Sequence, residues 1–139
     1  MSTSPAEAVR AYFAVVGDLD SSESDLRAVL HPDVVFVEHP SPMSPHGRSH
    51  GVDGMVSGFL AGKSLLTDQG IEVHSLLVDG DRVAVQSTWT GVVGHDVGVL
   101  AGGTRLTAHM AGFLTVRDGL VVRHETYDCY EPFGTAAER

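Results

Sequence analysis

Histidine is unusually frequent in this chain, with eight copies among 139 residues, and its charge changes near neutral pH. His39 follows Glu38 and precedes Pro40, at the end of a run of β-branched and aromatic residues that predicts a strand. An imidazole there could take up a proton near pH 7, which makes His39 the first candidate for a general base. The alternative is a loop histidine that bonds a backbone group beside Pro40. Glu38, one residue earlier, would point the opposite way, towards solvent.

Three further side chains could take part in acid–base chemistry. Tyr12 lies on the apolar face of a predicted helix, where it could donate to an oxyanion or only fill the core. His124 and Asp128 share a face of the last predicted strand, but residues four apart on a strand lie about 13 Å apart and cannot bond directly. His124 could be an acid, a base, a donor, or a neutral core histidine. Asp128 could orient His39 or His124, or be a carboxylate at the sheet rim.

The sequence predicts neither a metal site nor another cofactor. His39, His46 and His50, with Glu38, offer ligand atoms, but they lie in a segment rich in proline and glycine. Metal ligands usually stand on a rigid frame with hydrogen-bond partners of their own, so we interpret the segment as a polar lid over a cavity. Cys129 is the only cysteine, which excludes an internal disulfide and a cysteine-based zinc site.

Composition excludes several classes of protein. Nine Lys and Arg against eighteen Asp and Glu give a formal net charge of −9, which does not suit a nucleic-acid binder. The apolar runs are too short to cross a bilayer, and no secretory signal pattern is present. A length of 139 residues fits one domain, and we expect it in the cytoplasm.

The helices precede most of the strands in the predicted order of elements. A capping box at 4–7 and apolar residues at helical spacing predict a first helix, and similar spacing predicts helices at 22–30 and 52–60. Alternating apolar residues and turn signals predict strands at 34–37, 71–78, 82–90, 104–116 and 120–130, followed by a frayed tail at 134–139. This order predicts an α+β domain with helices on one face of a sheet.

Taken together, these elements resemble the nuclear transport factor 2-like superfamily, within it the SnoaL-like polyketide cyclase and ketosteroid isomerase branch. The most specific segments are 8–13, 37–40 and the hairpin at 117–119, and the ending at 127–133 resembles a subgroup of unassigned activity. The resemblance implies a cone-shaped, curved antiparallel sheet with three N-terminal helices on its concave face. It also implies a homodimer formed through the convex face.

The resemblance also implies roles for particular residues. Ketosteroid isomerases use a tyrosine of the first helix as a donor to the enolate oxygen, and Tyr12 falls at that position. Their proton-shuttling aspartate precedes a proline at the end of the first strand, where this chain has His39. Their second acid falls at Gly112, which has no carboxylate. The analogy turns His124 towards the cavity.

The resulting prediction is an enzyme without cofactor that moves a proton alpha to a carbonyl of an apolar or polyketide-like substrate. Isomerisation, cyclisation or dehydration would follow, with His39 as base, Tyr12 as donor, and His124 and Asp128 in secondary roles. The missing acid at Gly112 favours the alternative of a non-catalytic small-molecule binder or dimeric accessory protein, and an epoxide or ester hydrolase is the third possibility. The apolar residues expected to line the ligand pocket are Met55, Phe59, Trp89, Met110 and Leu114.

Overall fold

The computed structural model describes residues 3–133, so the predicted tail at 134–139 lies outside the described residues. Within these residues three helices and six strands form the domain, as the α+β prediction requires. The third helix and the strand after it are both longer than predicted, and a short strand lies in the segment that was interpreted as a lid. The elements are α1 (Pro5–Val16), α2 (Glu23–Val29), β1 (Leu30–Glu38), β2 (Arg48–His50), α3 (Val52–Leu65), β3 (Leu66–Asp79), β4 (Arg82–Val93), β5 (Arg105–Arg117) and β6 (Leu120–Tyr130).

Side-chain caps fix where the first two helices begin. The Ser4 side chain accepts a hydrogen bond from the backbone N–H of Glu7, and Pro5 occupies the first turn, where no intrahelical N–H bond is lost. Ser22 and Asp25 cap α2 reciprocally. These caps hold the two helices in the register that turns their apolar faces towards the sheet.

The sheet is mixed rather than wholly antiparallel, which corrects the prediction. Its strand order is β2-β1-β6-β5-β4-β3, and β1 runs parallel to β6 while the other neighbours are antiparallel. A parallel pair needs a long connection, and the chain supplies one because all of β2 to β5 lies between β1 and β6. Alternation in the sequence reports which side chains share a face, not the direction of the neighbouring strand.

The helices pack on one face of the sheet, which we call the inner face; the opposite one is the outer face. The core between helices and sheet includes Val9 and Leu26 from the helices and Val83, Leu114 and Val121 from the strands, each at most 1% exposed. Burying a side chain of this size stabilises the fold by roughly 1.5–3 kcal/mol. The core therefore fixes the helices above the sheet, and the space left between them becomes the site. Within residues 3–133 no helix is long and apolar enough to span a membrane.

Candidate functional site

A cavity of about 230 Å³ lies between the three helices and the ends of β1 and β2. Its lining is mostly apolar, with Glu38, Arg48 and His50 at the end formed by β1 and β2, and with Tyr12, Lys63 and Gln69 as its other polar side chains. Such an apolar cleft with a few convergent polar groups is the usual form of a small-molecule site. The cavity is lined by Tyr12, Val16, Leu19, Leu26, Phe36, Glu38, Arg48, His50, Gly54, Met55, Gly58, Phe59, Gly62, Lys63 and Gln69.

Of the five residues predicted to line the ligand pocket, Met55 and Phe59 line this cavity, and Met110 lines a separate, more open depression on the sheet. Leu114 is buried in the core beneath the helices, and Met110 pairs with Ser87 and Asp128 in the sheet register. Trp89 lies behind the cavity and donates from its indole N–H to Gln69 Oε1 at 2.8 Å. The tryptophan thus supports a cavity residue and packs against an apolar cluster at that end of the sheet.

Tyr12 of α1 lines the cavity and forms a buried polar pair with His124 of β6, which is not itself among the lining residues although the resemblance turns it towards the cavity. The Tyr12 hydroxyl and His124 Nδ1 are joined by a hydrogen bond of 2.9 Å, and the two residues are 2% and 6% exposed. The imidazole fits because Gly112 has no side chain: a Cβ there would lie 3.1 Å from His124 Nε2. The position where the resemblance expects a carboxylate is therefore the seat of the His124 ring.

Burial keeps both members of this pair uncharged. It raises the pKa of Tyr12 far above its usual range, with a contribution from the Glu38 charge, and lowers the pKa of His124 to about 3. If the imidazole proton is on Nδ1, His124 donates to the tyrosine oxygen and the phenol proton is available to a ligand. If the proton is on Nε2, the phenol donates to Nδ1.

Three charged or titratable side chains gather at the mouth of the cavity. The Glu38 carboxylate accepts a hydrogen bond of 2.9 Å from Arg48 Nε, and His50 Nε2 lies 3.9 Å from the same oxygen. The His50 ring stacks on Phe36, and it occupies space left by Gly54, where a Cβ would lie 2.7 Å from His50 Nδ1. A carboxylate, a guanidinium and an imidazole thus meet beside an apolar interior.

His39 lies on the outer face, outside this cavity. Its Nε2 lies 2.7 Å from Glu125 Oε2, its ring packs against the tilted ring of Tyr127 with 4.1 Å between centroids, and its side chain is 41% exposed. Glu38, predicted to face solvent, lines the cavity with its side chain only 19% exposed. The prediction that His39 faces the cavity and Glu38 faces solvent is therefore wrong, because the two side chains point the opposite way.

The register of β1 explains the reversal. Phe36 pairs with His124 and Glu38 with Thr126, so the even-numbered residues of β1 share the inner face. Val34 lies on the same face and is 2% exposed, so alternation from it puts Glu38 inside. The run at 34–37 is apolar on both faces, however, and the sequence alone did not select one.

Asp128 bonds neither histidine, contrary to the role predicted for it. It accepts a hydrogen bond of 2.6 Å from Thr126 Oγ1, and burial raises its pKa. His124 bonds Tyr12 instead, and His39 bonds Glu125. Asp128 remains on the inner-face side of β6, in register with Met110 of β5.

The segment predicted to be a lid ends in regular structure. Arg48 and His50 belong to β2, which pairs with β1, so these two side chains are held by the sheet. The sequence analysis placed His50 in a lid and did not predict β2, because a three-residue strand after a proline-rich segment leaves too short a pattern to read. Among residues 3–133 no cluster of three or more His, Cys, Asp or Glu side chains is arranged to hold a metal ion.

Comparison with known proteins identifies the family. The model of the SnoaL-like domain matches residues 9–124, most of the chain. This chain belongs to the SnoaL-like domain family. A search of curated proteins finds none that matches it.

Solved structures of the nuclear transport factor 2-like fold resemble the SnoaL-like chain over nearly its whole length. IdmH, a proposed polyketide cyclase from Streptomyces antibioticus, is 22% identical with a TM-score of 0.74, over 91% of this chain and 92% of its own. An LEH-like epoxide hydrolase from M. tuberculosis is 18% identical with a TM-score of 0.70, over 92% and 84%.

A third similar structure carries a small ligand. It is a protein with a ketosteroid isomerase-like fold from Catenulispora acidiphila, in complex with trimethylamine, 17% identical with a TM-score of 0.69, over 90% and 86% of the two chains. At these identities the three structures establish the fold of this SnoaL-like domain and not its activity.

Proposed function

We propose that this SnoaL-like domain binds an apolar carbonyl compound in its cavity and moves a proton alpha to the carbonyl, without a cofactor. The observation that carries the proposal is that Tyr12, which bonds buried His124 at 2.9 Å, and Glu38 line the same cavity. A neutral donor and a carboxylate thus share a mostly apolar space. That is the arrangement that enolate chemistry requires.

Tyr12 would stabilise the negative charge that develops on the carbonyl oxygen. Its raised pKa keeps the phenol protonated, and with the imidazole proton on His124 Nδ1 the phenol proton is free for the ligand. His124 fixes the direction of that hydroxyl through Nδ1 and adds no charge of its own, because its pKa is lowered to about 3. A pre-oriented donor in a water-poor site contributes roughly 3–4 kcal/mol to stabilisation of the transition state.

Glu38 would take the proton from the carbon alpha to the carbonyl. Arg48 holds its carboxylate by a hydrogen bond of 2.9 Å, and His50 lies 3.9 Å from the same oxygen. Returning the proton to another carbon of the enolate gives isomerisation, whereas attack of the enolate carbon on a second carbonyl gives cyclisation. This assignment replaces His39, whose side chain lies on the outer face, and it gives no part to Asp128, which does not line the cavity.

A second candidate function is non-catalytic binding of the same class of ligand. The observation in its favour is Gly112, where the resembling isomerases have an acid and this chain has the His124 ring. A binder would need the apolar cavity and the Tyr12 donor, but it would not need the carboxylate of Glu38. The two functions therefore separate on the consequence of replacing Glu38.

Two predictions about the setting of the protein remain open to test. Self-association through the outer face is supported by its exposed aromatic side chains, Phe113 and Tyr127, which are 42% and 38% exposed. Light scattering of the purified protein tests the homodimer, and a Phe113→Glu variant would weaken it.

The cytoplasmic location rests on composition alone and is tested by fractionating the source cells.

The enzymatic proposal is tested with 2-tetralone, whose protons alpha to the carbonyl exchange with deuterium from solvent. We expect the protein to accelerate the exchange, and Tyr12→Phe to lower the enzyme-catalysed rate by roughly 10²–10³-fold, as for loss of one oxyanion donor. Tyr127→Phe, an outer-face tyrosine hydroxyl, is the matched control and should retain the rate. An unchanged rate in Tyr12→Phe would contradict the role of the donor. Binding of tetralone without any acceleration would favour the non-catalytic function.

A further inference from the structure

His50 is a second proton-carrying side chain at the mouth of the cavity, and the reaction described above gives it no task. Its Nε2 lies 3.9 Å from Glu38 Oε2, and it lines the same cavity as Glu38 and Tyr12. Its side chain is 26% exposed, so solvent reaches a ring that also borders the ligand space. An imidazole in this place can carry protons between solvent and a ligand.

Contacts from two elements hold the His50 ring in place. β2 pairs His50 with Phe36 of β1, and the planes of the two rings lie within 14° of each other, with 6.3 Å between centroids. Gly54 of α3 leaves room for the ring, since a Cβ there would lie 2.7 Å from His50 Nδ1. With Nδ1 against the helix and the ring against Phe36, Nε2 stays on the side of the Glu38 carboxylate.

The charge of Glu38 acts on the tyrosines around the cavity. Burial is the main reason why the pKa of Tyr12 lies far above its usual range and why that of Tyr130 is raised to about 12. The Glu38 charge adds to both shifts, and the Asp128 charge adds to that of Tyr130. The carboxylate is therefore close enough for Tyr12, Glu38 and His50 to act on one ligand.

The other titratable side chains that line the cavity, among the residues that the structure describes, are unsuited to returning a proton to a ligand beside Glu38. Tyr12 keeps its phenol proton because burial raises its pKa. Arg48 bonds Glu38, and an arginine guanidinium is not deprotonated in proteins. Lys63 donates to two backbone carbonyl oxygens of the segment between α1 and α2. His50 is left as the side chain that can supply a proton.

We propose that His50 is a second catalytic residue of this site, which supplies a proton to the substrate while Glu38 takes a different one. The inference rests on the proposed function and divides its proton transfer between two groups. The two atoms, 3.9 Å apart, can each lie about 3–3.5 Å from a different carbon of one ligand, the separation that reacting atoms need.

The steps balance for a ketone whose double bond is one carbon away from conjugation. Glu38 takes a proton from C2; the electron pair of that C–H bond forms the C1–C2 double bond, and the carbonyl oxygen becomes an oxyanion that accepts from Tyr12. The carbonyl then re-forms, the C1–C2 pair moves to C2–C3, and the C3–C4 pair takes the proton from His50 Nε2. Transfer of the proton on Glu38 to His50 through one water restores both groups.

The experiment uses cyclohex-3-en-1-one deuterated at C2, in ordinary water, and follows the conjugated product by absorbance and its label by mass spectrometry. The unaltered protein should place a solvent proton at C4, because His50 draws its proton from solvent. His50→Gln should lower the rate roughly 10²-fold, as for loss of a general acid, and should place deuterium at C4, because Glu38 must then return the proton it took. His46→Gln is the matched control, an exposed histidine that does not line the cavity, and should retain both properties.

A second variant separates chemistry from folding. His50→Ala leaves a space for a free imidazole, so imidazole added to the buffer should raise the rate of this variant about 10-fold and leave the unaltered protein unchanged. A purely structural role of the ring would give the variant no such response. An unchanged rate of His50→Ala at every imidazole concentration would contradict the proposal.

Two further results would overturn the inference. Deuterium at C4 in the product of the unaltered protein would show that one group takes and returns the same proton. Equal isomerisation rates in the unaltered protein and His50→Gln would show that His50 takes no part. Exchange of 2-tetralone needs a proton carrier at one carbon only, so His50→Gln should change that rate by less than about threefold. Failure of the inference leaves this exchange intact, whereas failure of the proposed function is the absence of exchange in the unaltered protein.

Discussion

The inner and outer faces of the sheet use histidine in opposite ways. His124 on the inner face is buried, bonds the Tyr12 hydroxyl, and has a pKa lowered to about 3 by desolvation. His39 on the outer face is 41% exposed and lies 2.7 Å from the Glu125 carboxylate, whose pKa is lowered by this hydrogen bond. The difference teaches that a histidine's chemistry here is decided by the face it occupies, and not by its neighbours in the chain.

Replacing each histidine by alanine should give the largest contrast between the faces. His124→Ala removes a ring packed against Tyr12, Phe13 and Phe36 and leaves the Tyr12 hydroxyl without its partner. We expect the free energy of unfolding to fall by about 3 kcal/mol, the sum of a cavity and a lost buried hydrogen bond. His39→Ala should change it little. Urea unfolding of the two variants provides the measurement, and equal losses would contradict the distinction.

The dependence of stability on pH should give a smaller contrast. A buried histidine with a lowered pKa binds fewer protons in the folded than in the unfolded chain, so its stabilisation is complete above its ordinary pKa of 6.5 and declines as pH falls towards 3. Between pH 6.5 and 5 this removes about 2 kcal/mol, at 1.4 kcal/mol per pH unit.

This loss is isolated by comparing variants. His124→Gln should flatten the decline between pH 7 and 5, and His39→Gln should retain it, both followed by urea unfolding. Asp128 acts with the opposite sign, since burial raises its pKa, and it is present in both variants. The same slope in the two variants would show that the imidazole of His124 is not held neutral by the fold.

The sequence predicts much of the fold because its signals are local. The capping box at 4–7, the glycine-containing turns and the alternating strands each depend on residues close together in the chain. The parallel pairing of β1 with β6 could not be predicted in this way, because it joins segments separated by most of the domain. The three-residue strand β2 is too short for its own pattern to predict.

In the candidate site, too, the local features could be predicted and the contacts between distant segments could not. Tyr12 and His124 were candidates, but their mutual hydrogen bond depends on the packing of α1 against the sheet. Glu38 was assigned to solvent because strand alternation fixes relative and not absolute orientation, and one position reverses every side chain. Gly112 was interpreted as a missing acid, whereas the structure shows it making room for an imidazole.

The central claim, that the chemistry belongs to the inner face, is tested most directly by replacing the adjacent pair on β1. Glu38→Gln and His39→Gln are compared in deuterium exchange of 2-tetralone, with binding of 2-tetralone as the check that the cavity is intact. The account predicts that Glu38→Gln lowers the enzyme-catalysed rate by roughly 10²–10⁴-fold, as for loss of a general base, while His39→Gln leaves it within about twofold. A rate lost in His39→Gln and retained in Glu38→Gln would contradict it.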